Sequence, residues 1–176
     1  MKIGLCGTMS VGKTTLVNAL KETKQFKDYM FRTERSKFLM EQGIPLNTDS
    51  TLKGQTVFLA ERCAELIQTD IITDRTVIDV MAFTLNAKSI PHQDKEAFEE
   101  YAKEFIRDYD YIFYISPYGI DIEDNGVRET DEHYRDLIDF TITTLIKRYG
   151  HRCNVVEKIS GSTEERIQQI LNITGL

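Results

Sequence analysis

No stretch of this sequence reaches the length needed to cross a membrane, and its start, Met1 to Leu5, carries only a short apolar run. Prolines number three, and no repeat or biased tract appears, which argues against disorder or a long linker. Cysteines are also only three, and Cys6, Cys63 and Cys153 are far apart and form no C-x-x-C pair. That pattern excludes a disulfide framework and a zinc site, and predicts reduced thiols in a cytoplasmic protein. Basic side chains are outnumbered, 22 against 28, for a net charge of −6. Bulk nucleic-acid binding and attraction to an anionic membrane are therefore not expected as the main activity. A small anionic ligand is still admissible, because local geometry can override net charge. The length of 176 residues predicts one domain over 1–176, large enough for a core without disulfides or a structural metal.

What is present is an alternation of short apolar runs with longer segments of helical period. Lys2–Leu5 and Ile112–Ile115 read as buried strands, and Phe31, Ile71–Ile72 and Val155–Val156 mark shorter ones. Lys13–Lys21 sets Leu16, Ala19 and Leu20 on one helical face. Thr51–Gln68 sets Leu52, Leu59, Cys63 and Leu66–Ile67 on one stripe. The last helix opens on a capping box, Ser162-x-x-Glu165, and is expected to bury Ile167, Ile170 and Leu171. Strands joined by helical crossovers imply parallel pairing, hence a three-layer α/β domain. Ligands in such sheets sit at the carboxyl ends of the strands, here just after Leu5, Phe31, Ile72, Ile115 and Val156.

One motif carries chemistry on its own. Gly7-Thr8-Met9-Ser10-Val11-Gly12-Lys13-Thr14 matches G-x-x-x-x-G-K-[ST], between the first strand and the first helix, with Thr15 following. Its glycines let successive backbone N–H groups point inward and cradle phosphates. Lys13 brings charge to the β- and γ-phosphates, the Thr14 hydroxyl is a Mg²⁺ ligand, and the helix N-terminus adds to the attraction. A nucleoside triphosphate with Mg²⁺ is the expected ligand.

The loop alone does not separate kinases, GTPases and mechanical ATPases. An N-K-x-D guanine reader is absent, since Asn86-Ala87-Lys88 lacks its aspartate, and no D-x-x-G switch lies at a useful place. Asp74-Arg75 follows Ile71–Ile72 after the single residue Thr73 instead, and Glu34-Arg35 follows the second strand. Asp124-Asn125-Gly126-Val127-Arg128 follows the strand Tyr111–Ile115 and Pro117.

In that order, and at those strand ends, the motifs resemble P-loop kinases of the nucleoside and nucleotide type. The similarity is greatest to the ATPase/kinase-like group that includes ribosylnicotinamide kinase domains. The resemblance implies the P-loop NTPase fold: a five-stranded parallel sheet, the phosphate-loop strand at its centre, helices on both faces. It also implies ATP and Mg²⁺ as cofactors and a lid-like segment over about 119–131. Asp74 would hold Mg²⁺ or accept the proton of an attacking hydroxyl, and Glu34 is the other candidate base. Arg35 and Arg75 would contact the acceptor, and Arg128 would close on the transferring phosphoryl group. Gln55 and Phe58 would read and stack on an acceptor base. Ser160-Gly161-Ser162 would border the adenine. The stretch from Asp121 to Glu132 is rich in acids, unlike the more basic lids of that group.

The expected activity is phosphoryl transfer from ATP to a small-molecule acceptor: a nucleotide, a nucleoside or a related metabolite. The alternative is a nucleotide-dependent switch or regulatory ATPase acting on a partner protein, with the acidic stretch as its docking surface. A homodimer is left open.

Overall fold

The computed structural model describes residues 1–33, 35–120 and 131–176. Five strands, β1 (Lys2–Cys6), β2 (Met30–Arg32), β3 (Ile71–Asp74), β4 (Tyr111–Ile115) and β5 (Val155–Ile159), form one parallel sheet in the order β2-β3-β1-β4-β5. The phosphate-loop strand is thus central, as the resemblance implied. Between them run α1 (Lys13–Lys21), α2 (Ser36–Glu41), α3 (Leu52–Glu65), α4 (Val77–Asn86), α5 (His92–Ala102), α6 (Glu132–Tyr149) and α7 (Thr163–Thr174). None of the described helices is long and apolar enough to cross a membrane.

Each central strand is apolar on both sides because each side meets a layer of helices. In β4, Phe113 and Ile115 join Ile3 and Leu5 of β1 in a core with Leu16, Val17 and Leu20 of α1 and Ile170 of α7. Its alternate residues, Ile112 and Tyr114, face the opposite core, made with Ile78 and Met81 of α4 and Ile138 and Ile142 of α6. This period of two is the sheet's pleat, and the continuous apolar runs are its signature in a two-sided parallel sheet.

The helix before β3 corrects the sequence reading. It ends at Glu65, and Leu52 and Ile67, expected on the core stripe, are 37% and 78% exposed. The buried stripe is Gln55, Leu59, Arg62 and Leu66, spaced by four, three and four, as one face of a helix requires. Two polar residues stand in it: Arg62 donates to the Asp74 carbonyl at the end of β3, and Gln55 lines a hollow beside α4. The last helix keeps its capping box, with Ser162 Oγ accepting from Glu165 N–H at 3.2 Å. It buries Ile170 and Leu171 as expected, but Arg166 lies deeper than its half-buried neighbour Ile167.

Candidate active site

The carboxyl end of β1 turns directly into the phosphate loop, and the turn depends on two glycines. A Cβ on Gly7 would lie 2.5 Å from the Ile115 carbonyl oxygen, so only glycine lets the loop leave the sheet beside β4. Gly12 has φ +82°, in the left-handed region that other residues avoid, and it opens α1. Ser10 is also left-handed, at φ +59°.

Lys13 is buried, and its Nζ donates to the carbonyls of Gly7 at 2.5 Å and Thr8 at 2.7 Å. Burial, then the neighbouring Arg75, lowers its pKa below the ordinary lysine value. A charged ammonium held in so enclosed a place is poised to gain from an anion. Next along α1, Thr14 Oγ1 donates to Asp74 Oδ2 at 2.5 Å, joining the first helix to the end of β3. Asp74 is 1% exposed, and its second oxygen, Oδ1, is buried with no hydrogen-bond partner. A hydroxyl beside a carboxylate with one unmatched oxygen fits Mg²⁺, which takes few protein ligands and completes its shell with phosphate and water. Among the described residues no cluster of three or more His, Cys, Asp or Glu forms an all-protein metal cage.

Asp79, which the sequence reading passed over, fastens the loop from behind. Fully buried, it accepts from Gly7 N–H at 3.0 Å through Oδ1, and from Thr76 N–H and Thr76 Oγ1, both at 2.7 Å, through Oδ2. The same carboxylate therefore caps α4 and pins the first residue of the phosphate loop. The signal was present as Thr76-x-x-Asp79, a capping box with Asp in the third position. Arg62 is a second omission. Only 3% exposed, it donates to the Asp74 carbonyl at 3.3 Å and pairs with Glu65 at 2.8 Å.

A cleft of about 620 Å³ opens over the loop, lined by Met9 to Thr14, Ser36, Lys37, Leu46, Asn47, Asp74, Arg75 and Phe83. A second hollow of about 340 Å³ shares Ser36, Leu46, Asn47, Arg75 and Phe83 with it and adds Gln55, Phe58 and Val80. Arg75 sits between them at φ +101°, its guanidinium 4.9 Å from the Phe83 ring centroid.

The structure thus brings together Ser10, Val11, Gly12, Lys13, Thr14, Asp74, Arg75 and Phe58 along two adjoining hollows, while Gly7 stands at the start of the loop and lines neither. Thr15 lines neither hollow but a third cavity, bordered by Gly161, Ser162 and Thr163. Arg35 lines neither hollow: it is paired with Glu61 at 3.0 Å and stacked on Phe38, 4.5 Å from its centroid. Glu34 and Arg128, and with Arg128 the turn Asp124-Asn125-Gly126, lie outside the described residues. Arg135, in the first turn of α6, donates to the Ile120 carbonyl at 2.7 Å.

A family model described as an AAA domain matches residues 2–166, nearly the whole chain. The chain belongs to that AAA-domain family. Among curated proteins, none matches the sequence. This AAA domain is similar in structure to deoxyadenosine kinase from M. mycoides with dCMP and dCDP bound. The TM-score is 0.70 at 18% identity, over 99% of this chain and 98% of that one. The same kinase with bound dATP aligns with a TM-score of 0.61 at 16% identity, over the full length of both chains. NadR protein in complex with NR aligns with a TM-score of 0.77 at 20% identity, over 99% of this chain and 51% of that one. The AAA domain thus spans about half of the NadR chain, and its fold is that of P-loop nucleoside kinases.

Proposed function

We propose that this protein transfers the γ-phosphoryl group of ATP, with Mg²⁺, to a hydroxyl of a nucleoside or nucleotide. The observation that carries the reading is the continuity of the phosphate cleft with a hollow walled by Phe58, Phe83 and the buried Gln55. Aromatic faces beside a carboxamide suit a planar base that presents hydrogen-bonding groups at its edge. The site is open to that base on the same side as Lys13 and Asp74, where a phosphoryl group would be handed over. Support also comes from the neighbours, kinases and a nucleoside-bound protein of the same fold at low identity.

Phosphoryl transfer asks the protein mainly for positioning and for neutralising charge. Lys13 and the loop N–H groups hold the β- and γ-phosphates. Thr14 and Asp74 would hold Mg²⁺, which when bound screens the phosphate oxygens. Arg75, braced on Phe83, orients the acceptor at the junction of the two hollows. Since Asp74 already accepts from Thr14, the proton of the attacking hydroxyl is assigned to Glu34, whose near neighbours Ser36 and Lys37 line the cleft. Arg128 is assigned to the transferring phosphoryl group from the segment before α6.

The test is ADP release with Mg·ATP against a panel of nucleosides and nucleoside monophosphates, with Lys13→Ala as blank. Strong stimulation by one acceptor supports the kinase reading. Slow hydrolysis indifferent to every acceptor refutes it and favours a switch ATPase. With an acceptor identified, Glu34→Gln and Arg128→Ala are each expected to lower kcat by about 100-fold or more while the Kd for ATP changes less than about threefold. Wild-type turnover in either variant removes that residue from the mechanism.

A further inference from the structure

Arg166 is a buried cation with no carboxylate. It is 9% exposed, and among the described residues no Asp or Glu oxygen lies within ion-pair distance of it. Its Nη1 donates to the Val11 carbonyl at 2.9 Å, and its Nε is buried without a partner. Burial alone lowers its pKa, with no neighbouring charge to offset the cost. Uncompensated buried charges are expensive, and natural proteins keep them where something else supplies the opposite sign.

The surroundings say what supplies it. Arg166 lines a cavity of about 680 Å³ with Ser10, Val11, Gly12, Thr14, Thr15 and the Gly161–Thr163 turn. That cavity shares Ser10, Val11, Gly12 and Thr14 with the phosphate cleft and no lining residue with the hollow walled by Phe58. A Cβ built on Gly12 would come within 3.3 Å of Arg166 Nη1, so the guanidinium lies directly against the turn into α1. In phosphate loops the backbone N–H groups take the α- and β-phosphates while the lysine reaches the β- and γ-phosphates, so a cation beside the turn into α1 would meet the nucleoside end of the triphosphate.

We infer that Arg166 is a nucleotide-binding residue whose guanidinium neutralises the α-phosphate of the bound nucleoside triphosphate. The inference rests on the phosphotransferase reading of the loop. It adds a residue from the last helix, anchored by the Val11 carbonyl so that the charge is set in place before the nucleotide arrives.

The alternative is purely structural: Arg166 shapes the loop through Val11 and touches no ligand. Two nucleotides separate the possibilities, Mg·ATP and the ATP analogue in which a methyl group replaces one charged oxygen of the α-phosphate. Binding is measured by calorimetry on the full chain. Wild type is expected to bind ATP about tenfold more tightly than the analogue, as a charge-assisted contact implies. Arg166→Met is expected to bind ATP about tenfold more weakly than wild type and the analogue about as wild type does, so that the discrimination vanishes. Arg166→Lys keeps the cation and is expected to keep the preference. If Arg166→Met weakens both nucleotides equally, or weakens neither, the assignment is wrong. Arg166→Gln carries the same prediction should the methionine variant not fold. Lys13→Ala run alongside separates the two readings. Wild-type affinity there brings down the phosphate-loop reading itself, whereas weakened affinity there with intact discrimination in Arg166→Met overturns only the role of Arg166.

Discussion

Lys13→Ala is expected to reduce phosphoryl transfer by about a hundred- to a thousandfold, which is the scale seen when one preorganised donor is removed from a transition state. The ammonium is already oriented by two carbonyls, so none of its stabilisation is spent on reordering during the reaction. Loss of fold does not explain such a result, because Lys13 is a liability to the free protein. Its pKa is lowered by folding, so the folded state disfavours the ammonium. That cost is fully present below the folded-state pKa and is lost as the pH rises from there toward the lysine's ordinary value. Lys13→Met, which fills the same space without charge, is therefore expected to melt at or above the wild-type temperature without nucleotide. It is also expected to lose the stabilisation that ATP gives wild type. A melting temperature well below wild type contradicts this account of the loop.

The second large effect is on stability. Asp79→Ala removes the acceptor for two buried backbone N–H groups, Gly7 and Thr76, and for the Thr76 hydroxyl. Each buried group left unmatched costs about 1–3 kcal/mol, and the cap of α4 is lost as well. A total near 3 kcal/mol is expected, or a melting temperature lower by about 6–12 °C for a chain of this size. Asp79→Asn retains one acceptor oxygen and is expected to cost less. Denaturant unfolding measures both, and a loss below about 1 kcal/mol for Asp79→Ala shows that the clasp on Gly7 is not what holds the loop. Activity should fall along with stability in the alanine variant, because Gly7 is where the loop leaves the sheet.

These residues also show where the sequence speaks and where it is silent. The first strand, its loop and α1 are contiguous, so the motif and its flanking periods reveal the fold and the phosphate site together. Asp74 is legible because its place at a strand end is local. Asp79 reaches a residue 72 positions away, and its sequence context announces only a helix cap. Arg62 and Arg166 are hidden for a different reason. Each occupies the buried face of an amphipathic helix, where apolar periodicity predicts a hydrophobic residue and discounts a charged one. The misplaced stripe of α3 has the same origin: Leu52 and Ile67 satisfied the pattern, while Gln55 and Arg62 are the residues that are buried. Arg35 shows the converse, a residue beside the site by chain position that turns instead to Glu61.

The backbone at Arg75 has a consequence for anyone improving this protein by selection. Its φ of +101° is held by its N–H donating to the Leu5 carbonyl and by Thr73 Oγ1 donating to its own carbonyl. An arginine so placed carries strain of order 1–3 kcal/mol, which glycine alone relieves. A library ranked by heat resistance would therefore enrich glycine at this position, and with it molecules that have discarded the side chain standing between the two hollows. Thermal tolerance and turnover should be scored together here, since the most durable clones would be the least useful.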